Sequence, residues 1–377
     1  MDTSDPLVIF PSPSDTDLDF SFTSSASTER TFASSSSSSG RTSTSTSTST
    51  STSTSFNDSN KAHRQSDPRW SALRAATALS PLRLRHLKLL RHLGSGNLAR
   101  VYLCRLRDAP DHPSSLFALK VVDRDALSPK KLAHVQTETE ILSTLDHPFL
   151  PTLYAHLEAS HYTCLLIDYC PRGDLHSLLR AHPNHRFAVP TVRFFASEVL
   201  VALEYLHAIG VVYRDLKPEN VLIREDGHVM LSDFDLCFRA HVEPRLHTLP
   251  GPTGRKTKNP TPPSCFGGLW LISNGSEEPV TTEFVAEPCG AYSRACVGTH
   301  EYLAPEMVSG NGHGNGVDWW ALGVLVYELM YGTTPFKGES KECTLRNIAG
   351  ARGLRFPSGQ DDQDDDDRTR GWRTLRT

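Results

Sequence analysis

The sequence has no Cys-x-x-Cys pair. Its eight cysteines, Cys104, Cys164, Cys170, Cys237, Cys265, Cys289, Cys296 and Cys343, are scattered, so neither a zinc site nor a disulfide framework is suggested. Reduced thiols in a cytosolic protein are the expectation. A long hydrophobic run is also missing. The most apolar stretch, Trp319 to Tyr331, is too short to span a bilayer and carries Glu328, so it reads as a buried core helix. Charge of one sign is not in excess. A net charge of −4 is too mild to make nucleic acid the main ligand, and no nucleic-acid partner is expected. The N-terminus is acidic and rich in Ser and Pro, unlike a secretory signal. These absences point to a soluble intracellular protein in the cytoplasm. Peripheral contact with the plasma membrane and a nuclear location stay open.

What is present falls into segments. Residues 1–80 are dominated by Ser/Thr tracts that cannot bury enough apolar area to offset the entropy of ordering, so a disordered tail is expected there. From His86 the pattern changes. "LKLLRHLGSGNLARVYLCRLR" reads as strand, glycine turn, strand, and "SSLFALKVVDR" as a further strand. Leu132, Val135, Ile141, Leu142 and Leu145 recur at helical spacing. "YTCLLIDYC" reads as a buried strand, and "VRFFASEVLVALEYLHAIG" as a long amphipathic helix closed by Gly210. A hairpin with an Asp226-Gly227 turn follows, then an irregular stretch, then a helix starting near Asp318. The expected order is a β-rich part over about 86–167, a helical part over about 171–356 with a flexible insertion over about 239–290, and a disordered acidic and basic tail over 357–377.

Several residues carry chemistry in a telling order. Gly94 and Gly96 lie between two strands, where backbone amides can approach phosphates because no Cβ intrudes. Taken alone the pair is as well explained by a tight turn. Lys120 stands in an apolar strand, which is costly without a partner. Glu138 and Glu140 on the following helix both qualify, and Glu138 is the choice. In "YRDLKPEN", Asp215 is suited to accept a hydroxyl proton, Lys217 to neutralise charge, and the amide oxygen of Asn220 to hold a hard cation. Asp233 then supplies a metal carboxylate at the end of a strand. Each motif has a plainer reading as a turn, a snorkelling lysine or a surface loop. All of them in this order by chance is very unlikely. Phosphoryl transfer needs held phosphates, metal ions and a carboxylate near the acceptor hydroxyl, and these residues are of the right kinds.

From about His86 to Phe356 the chain resembles a eukaryotic protein kinase, through "GSGNLARV", "FALK", "YRDLKPEN", "SDFD", "GTHEYLAPE" and "GVDWWALGVLVYELMYGTTPF" in family order. The resemblance implies an α+β, bilobal fold with a small β-rich lobe, a mainly helical lobe, and a monomeric enzyme using ATP and Mg²⁺. "DLKPEN" with Lys217 and "GTHEY" with Thr299 resemble the Ser/Thr class. "HPFLPTLYA" and "GVDWWALG" resemble the AGC group. "SDFD", the insertion before "APE" and "YGTTPFKGES" resemble the PINOID and WAG kinases of plants. Carried over, the nucleotide site would use Leu93, Gly94, Gly96, Val101, Ala118, Lys120, its partner Glu138, the hinge Asp168 to Cys170, and Asp174 near the ribose. Asp174, Glu219 and Glu328 would receive basic substrate residues. Asp215 and Lys217 would be catalytic, and Asn220 and Asp233 would hold the metal. The implied substrates are PIN-type auxin efflux carriers.

Four departures matter. Asp235 replaces the glycine after Asp-Phe, a substitution the plant group shares. Ala99 stands where a third glycine is usual. Ala295 stands three residues before Gly298, where AGC kinases carry a phosphorylated Ser or Thr. Alanine accepts no phosphate, which counts against an upstream phosphoinositide-dependent kinase, and Ser293 is the substitute acceptor. Beyond "LRNI" the chain runs into an acidic tail, so the helical lobe reads as truncated and the Trp319 to Tyr331 helix is expected to expose apolar surface. Two readings follow: an active Ser/Thr kinase, or a catalytically impaired module that binds nucleotide or a partner. A third, a membrane-recruited scaffold, has only the three cations of "GRKTK" in the insertion behind it.

Overall fold

The structure is a computed structural model. It describes residues 61–78, 80–96, 98–107, 115–159, 161–249, 281–288, 290–351 and 353–357, without the side chains of 245–249, 281–285 and 351. The Ser/Thr tracts, the centre of the insertion with "GRKTK", and the acidic tail lie outside these residues.

Five antiparallel strands build the first lobe: β1 (Leu87–Ser95), β2 (Arg100–Leu106), β3 (Leu116–Asp123), β4 (Leu153–Ala159) and β5 (Tyr162–Asp168). Their order is β1-β2-β3-β5-β4. The central β3 is buried from Phe117 to Val122 on both faces, so its Lys120 sits in an apolar setting as the sequence required. Helix α2 (Pro129–Thr144) covers one face. Pro129 at its first position suits the fixed proline φ. Val135, Glu138, Ile141 and Leu142 are its buried stripe, so Glu138 is carried inward by helical periodicity.

The opposite face brings a correction. Residues 61–78, expected in a disordered tail, are ordered and include helix α1 (Pro68–Thr77). The Asp67 side chain accepts from the Arg69 N–H, and Pro68 opens the helix. Trp70 and Leu73 are buried among Tyr102, Cys104, Phe117 and Tyr154, with Leu82 and Leu84 in the same cluster. The Trp70 and Tyr154 ring centroids lie 5.0 Å apart. Burying such side chains stabilises by roughly 2 kcal/mol each, enough to order a short helix that would be marginal alone. The surrounding Ser/Thr composition masks this local signal.

The second lobe is mainly helical: α3 (Leu175–Ala181), α4 (Val189–Ala208), α5 (Pro305–Ser309), α6 (Gly316–Tyr331) and α7 (Lys341–Arg346). Leu203 and Leu206 of α4 share the main core with Leu325 and Leu329 of α6. Short strands lie between: β6 (Val211–Val212) pairs with β9 (Phe238–Arg239), and β7 (Val221–Ile223) with β8 (Val229–Leu231). The β7–β8 pair is the expected hairpin, with Gly227 at φ 90 in its turn. The insertion differs at its two ends from a flexible segment. There β10 (Glu243–Leu249) and β11 (Thr281–Glu287) form an antiparallel ladder from Glu243 against Glu287 to Leu249 against Thr281.

The expected exposure of α6 is also corrected. None of its large apolar side chains is exposed. Trp320 stacks on Phe336 at 5.4 Å, the Tyr327 hydroxyl donates to the Arg355 carbonyl, and Phe356 lies against Tyr327 and Tyr331. The chain after α7 folds back on this helix and covers it. Among the described residues no helix is long and apolar enough to cross a membrane.

Candidate active site

A cavity of about 510 Å³ opens between the lobes. Its wall brings together Leu93, Gly94, Gly96, Val101, Ala118, Lys120, Glu138, Asp168, Cys170, Asp174, Asn220 and Asp233, residues far apart in the chain. A Cβ built on Gly94 would meet no atom within 4 Å, so the turn between β1 and β2 faces open space. The volume suits a nucleotide-sized ligand.

Lys120 Nζ donates to Glu138 Oε1 at 2.6 Å and to Asp233 Oδ1 at 3.0 Å. Burial works against the ammonium, but Glu138 and then Asp233 outweigh it, so Lys120 is held well above the ordinary lysine range. Asp233 adopts φ 58, a strained value for a non-glycine residue, and its carboxylate is half-exposed toward the cleft. Burial, then the Asp233 charge, pushes the Asp235 carboxyl up to about 6. Asp174 lines the cavity and also caps α3, accepting from the Ser177 N–H at 2.7 Å. Asp168 turns its carboxylate to Arg69, Tyr154 and the Thr152 N–H, so its side chain serves the packing of β4 and α1.

Asp215 is the hub of the loop it shares with Lys217 and Asn220. Its Oδ2 accepts from Lys217 Nζ at 2.7 Å and from Asn220 Nδ2 at 3.0 Å. Its Oδ1 accepts from the Thr299 N–H and hydroxyl, each at 3.2 Å. With its amide N–H₂ group spent on Asp215, Asn220 keeps its amide oxygen for a cation. Thr299 reaches Asp215 because Gly298 sits at φ 106, where a Cβ would lie 2.7 Å from the Arg214 carbonyl.

Two contributors were not legible as site residues. In the sequence Thr299 is only a mark of the Ser/Thr class. Asp318 stands in the sequence only as a helix start, yet it is fully buried beneath the loop. Its carboxylate accepts from His207 Nε2, the Tyr213 N–H (both 2.8 Å) and the Arg214 N–H (2.7 Å). This holds Arg214 at φ 69, one residue before Asp215. Arg214 has its Nη1 on the Ser293 hydroxyl at 3.1 Å and its guanidinium over Phe238, and burial lowers its pKa. Glu328 accepts from the Tyr302 hydroxyl, and burial raises its pKa.

A cleft with a buried lysine–glutamate pair on one side and a held aspartate, lysine and asparagine on the other brings together the kinds of groups that phosphoryl transfer calls for. The chain belongs to the protein kinase family, whose domain model matches residues 87–253 and 282–367. It is similar to the serine/threonine-protein kinase WAG1 of Arabidopsis thaliana, with 63% identity over 298 residues covering 78% of this chain and 62% of that protein. It is similar to WAG2 of the same plant at 61% over 302 residues, covering 78% and 61%. To the protein kinase PINOID of Oryza sativa subsp. japonica it is 50% identical over 307 residues, covering 79% and 63%. The chain therefore spans about three fifths of the length of these relatives. Membership implies the use of ATP and typically of Mg²⁺.

Proposed function

We propose that the chain transfers the γ-phosphate of ATP to Ser and Thr hydroxyls of proteins. The observation that carries this is the Asp215 carboxylate, held by Lys217, Asn220 and Thr299 beside a cavity that contains Lys120 and Asp233. The donor set fits the implied ligands. Asn220 and Asp233 both line the cavity, and two oxygen donors suit Mg²⁺, which takes one or two protein ligands and fills its shell with phosphate and water. Asn220 and Asp233 would hold it, and Lys120 would anchor the phosphates. When bound, the metal–nucleotide supplies an activated phosphoryl group. Asp215 orients the acceptor hydroxyl and takes its proton, and Lys217 offsets charge on the moving group.

Within the same proposal, PIN-type auxin efflux carriers are the substrates and the cytoplasm at the plasma membrane is the place of action, on the resemblance carried by "SDFD" and "YGTTPFKGES". The acids Asp174, Glu219 and Glu328 favour substrates with basic residues. Ala295 gives an upstream phosphoinositide-dependent kinase no acceptor. Ser293, already on Arg214, is the hydroxyl that a phosphate would join to that cation. The test is phosphorylation of a basic Ser peptide and of a PIN cytoplasmic loop by the full chain and by Asp215→Asn. Activity lost in the variant is expected. Equal activity in both would overturn the assignment, and stabilisation by ATP without turnover would identify a binding module instead.

A further inference from the structure

One buried ionic cluster lies outside this chemistry. Asp168 ends β5 and opens the hinge, and it is 5% exposed. Its Oδ2 accepts from the Thr152 N–H at 2.8 Å, and its Oδ1 from the Tyr154 hydroxyl at 3.0 Å. Its countercharges come from the stretch at and before the start of α1. Arg69 Nη1 lies 2.5 Å and Arg64 Nη2 3.4 Å from Oδ1. The same stretch reaches a second place. The Ala62 N–H donates to Asp146 Oδ2 at 2.8 Å, and His63 Nδ1 meets Asp146 Oδ1. Asp146 lies two residues past the end of α2, the helix that carries Glu138. Trp70 and Leu73 bolt the segment to the sheet.

Residues 61–77 thus run as a strap from the end of α2 to the hinge. The hinge has space on both sides. Asp168, Tyr169, Pro171 and Met230 border the cleft, and they also border a second cavity of about 600 Å³ that Arg64 and Arg69 help to line. A carboxylate buried at such a wall needs its counterions. Without them it takes a proton or turns to water, and the hinge moves with it.

We propose that this strap positions the nucleotide. Arg69, seconded by Arg64, neutralises Asp168 and fixes the hinge, so loss of the strap weakens nucleotide binding far more than the transfer step. Arg69 is a positioning residue and touches no substrate. The inference rests on the kinase reading only for the choice of nucleotide.

The test uses the full chain with Arg69→Ala, Arg69→Lys and Arg64→Ala, and Arg69→Ala in an Asp168→Asn background. A non-hydrolysable ATP analogue gives Kd by titration calorimetry, and turnover gives KM for ATP and kcat. Arg69→Ala should raise Kd and KM about tenfold, equivalent to about 1.4 kcal/mol, while kcat changes far less. Arg69→Lys, which keeps the cation, should recover most of the loss. In the Asp168→Asn background Arg69→Ala should raise Kd far less, because the hinge charge is gone and only the contacts of Arg69 with Asp67 and Tyr154 are lost. An unchanged Kd with only a lower Tm would overturn the proposal, as would an equal cost in both backgrounds. Should Arg69→Ala not fold, Arg64→Ala and Arg69→Lys carry the same readout with smaller shifts. The Kd series decides the strap even if the chain shows no turnover, which separates its failure from that of the kinase reading.

Discussion

Replacing Asp318 with asparagine removes one charge and one acceptor oxygen from a fully buried site. Three donors converge there: His207 Nε2 and the Tyr213 N–H on one oxygen, the Arg214 N–H on the other. Asparagine offers one oxygen and a donating N–H₂ group. If the oxygen serves Arg214, the Tyr213 N–H faces another donor. His207 can adapt by switching tautomer, since its Nδ1 has no hydrogen-bond partner. At least one backbone donor stays orphaned, and the charge-assisted strength of the rest is lost. At about 1–3 kcal/mol per unsatisfied buried group, the total is about 3 kcal/mol. For a domain of this size that lowers Tm by about 5 °C. Catalysis should suffer more. The same bonds hold Arg214 at φ 69, and Asp215 follows it, so a shift of about 1 Å in the base would cost about a hundredfold in kcat. Urea unfolding and steady-state kinetics on the full chain measure both effects. A variant within about 1 kcal/mol of wild type and with wild-type kcat would refute the reasoning.

Glu138→Gln breaks the 2.6 Å pair and leaves buried Lys120 with Asp233 alone. About 3 kcal/mol of stability should be lost in urea titrations, with a raised KM for ATP. Glu328→Gln acts in the opposite sense on stability. Burial raises the pKa of Glu328, so its charged form is disfavoured in the fold, and the penalty is present at neutral pH. That penalty fades as pH falls through the raised value toward the ordinary 4.5, so the variant should gain Tm at pH 8 and lose the gain in acid. Turnover on peptides with basic residues should fall in the same variant.

Residues whose chemistry conflicts with their surroundings were legible from sequence. A lone lysine in the apolar β3 demands an acid, and α2 has Glu138 on its inward stripe, so the pair could be named before any coordinates. Asp215, Lys217 and Asn220 were legible because they share one loop and their spacing carries their geometry. Asp318 was not, because its role depends on α6 passing beneath a loop about a hundred residues away in the chain. The outward turn of the Asp168 side chain was hidden for the same reason. Its partners Arg64 and Arg69 lie in a short stretch that follows the Ser/Thr tracts closely enough to be grouped with them, although its own composition differs. The cover on α6 depends on a backward turn of the chain that no local pattern announces.

The ladder between β10 and β11 has a consequence for how this chain can change. It sets Leu249 directly opposite Thr281, so whatever lies between them leaves and returns at one point. Closing a loop whose ends are already clamped costs only about 0.6 kcal/mol for each doubling of its length. The segment between Leu249 and Thr281 can therefore lengthen, shorten or be exchanged for a folded unit while Asp233 and Thr299 keep their places. The stem is a socket, and it marks where a reporter domain can be grafted into the chain between Leu249 and Thr281.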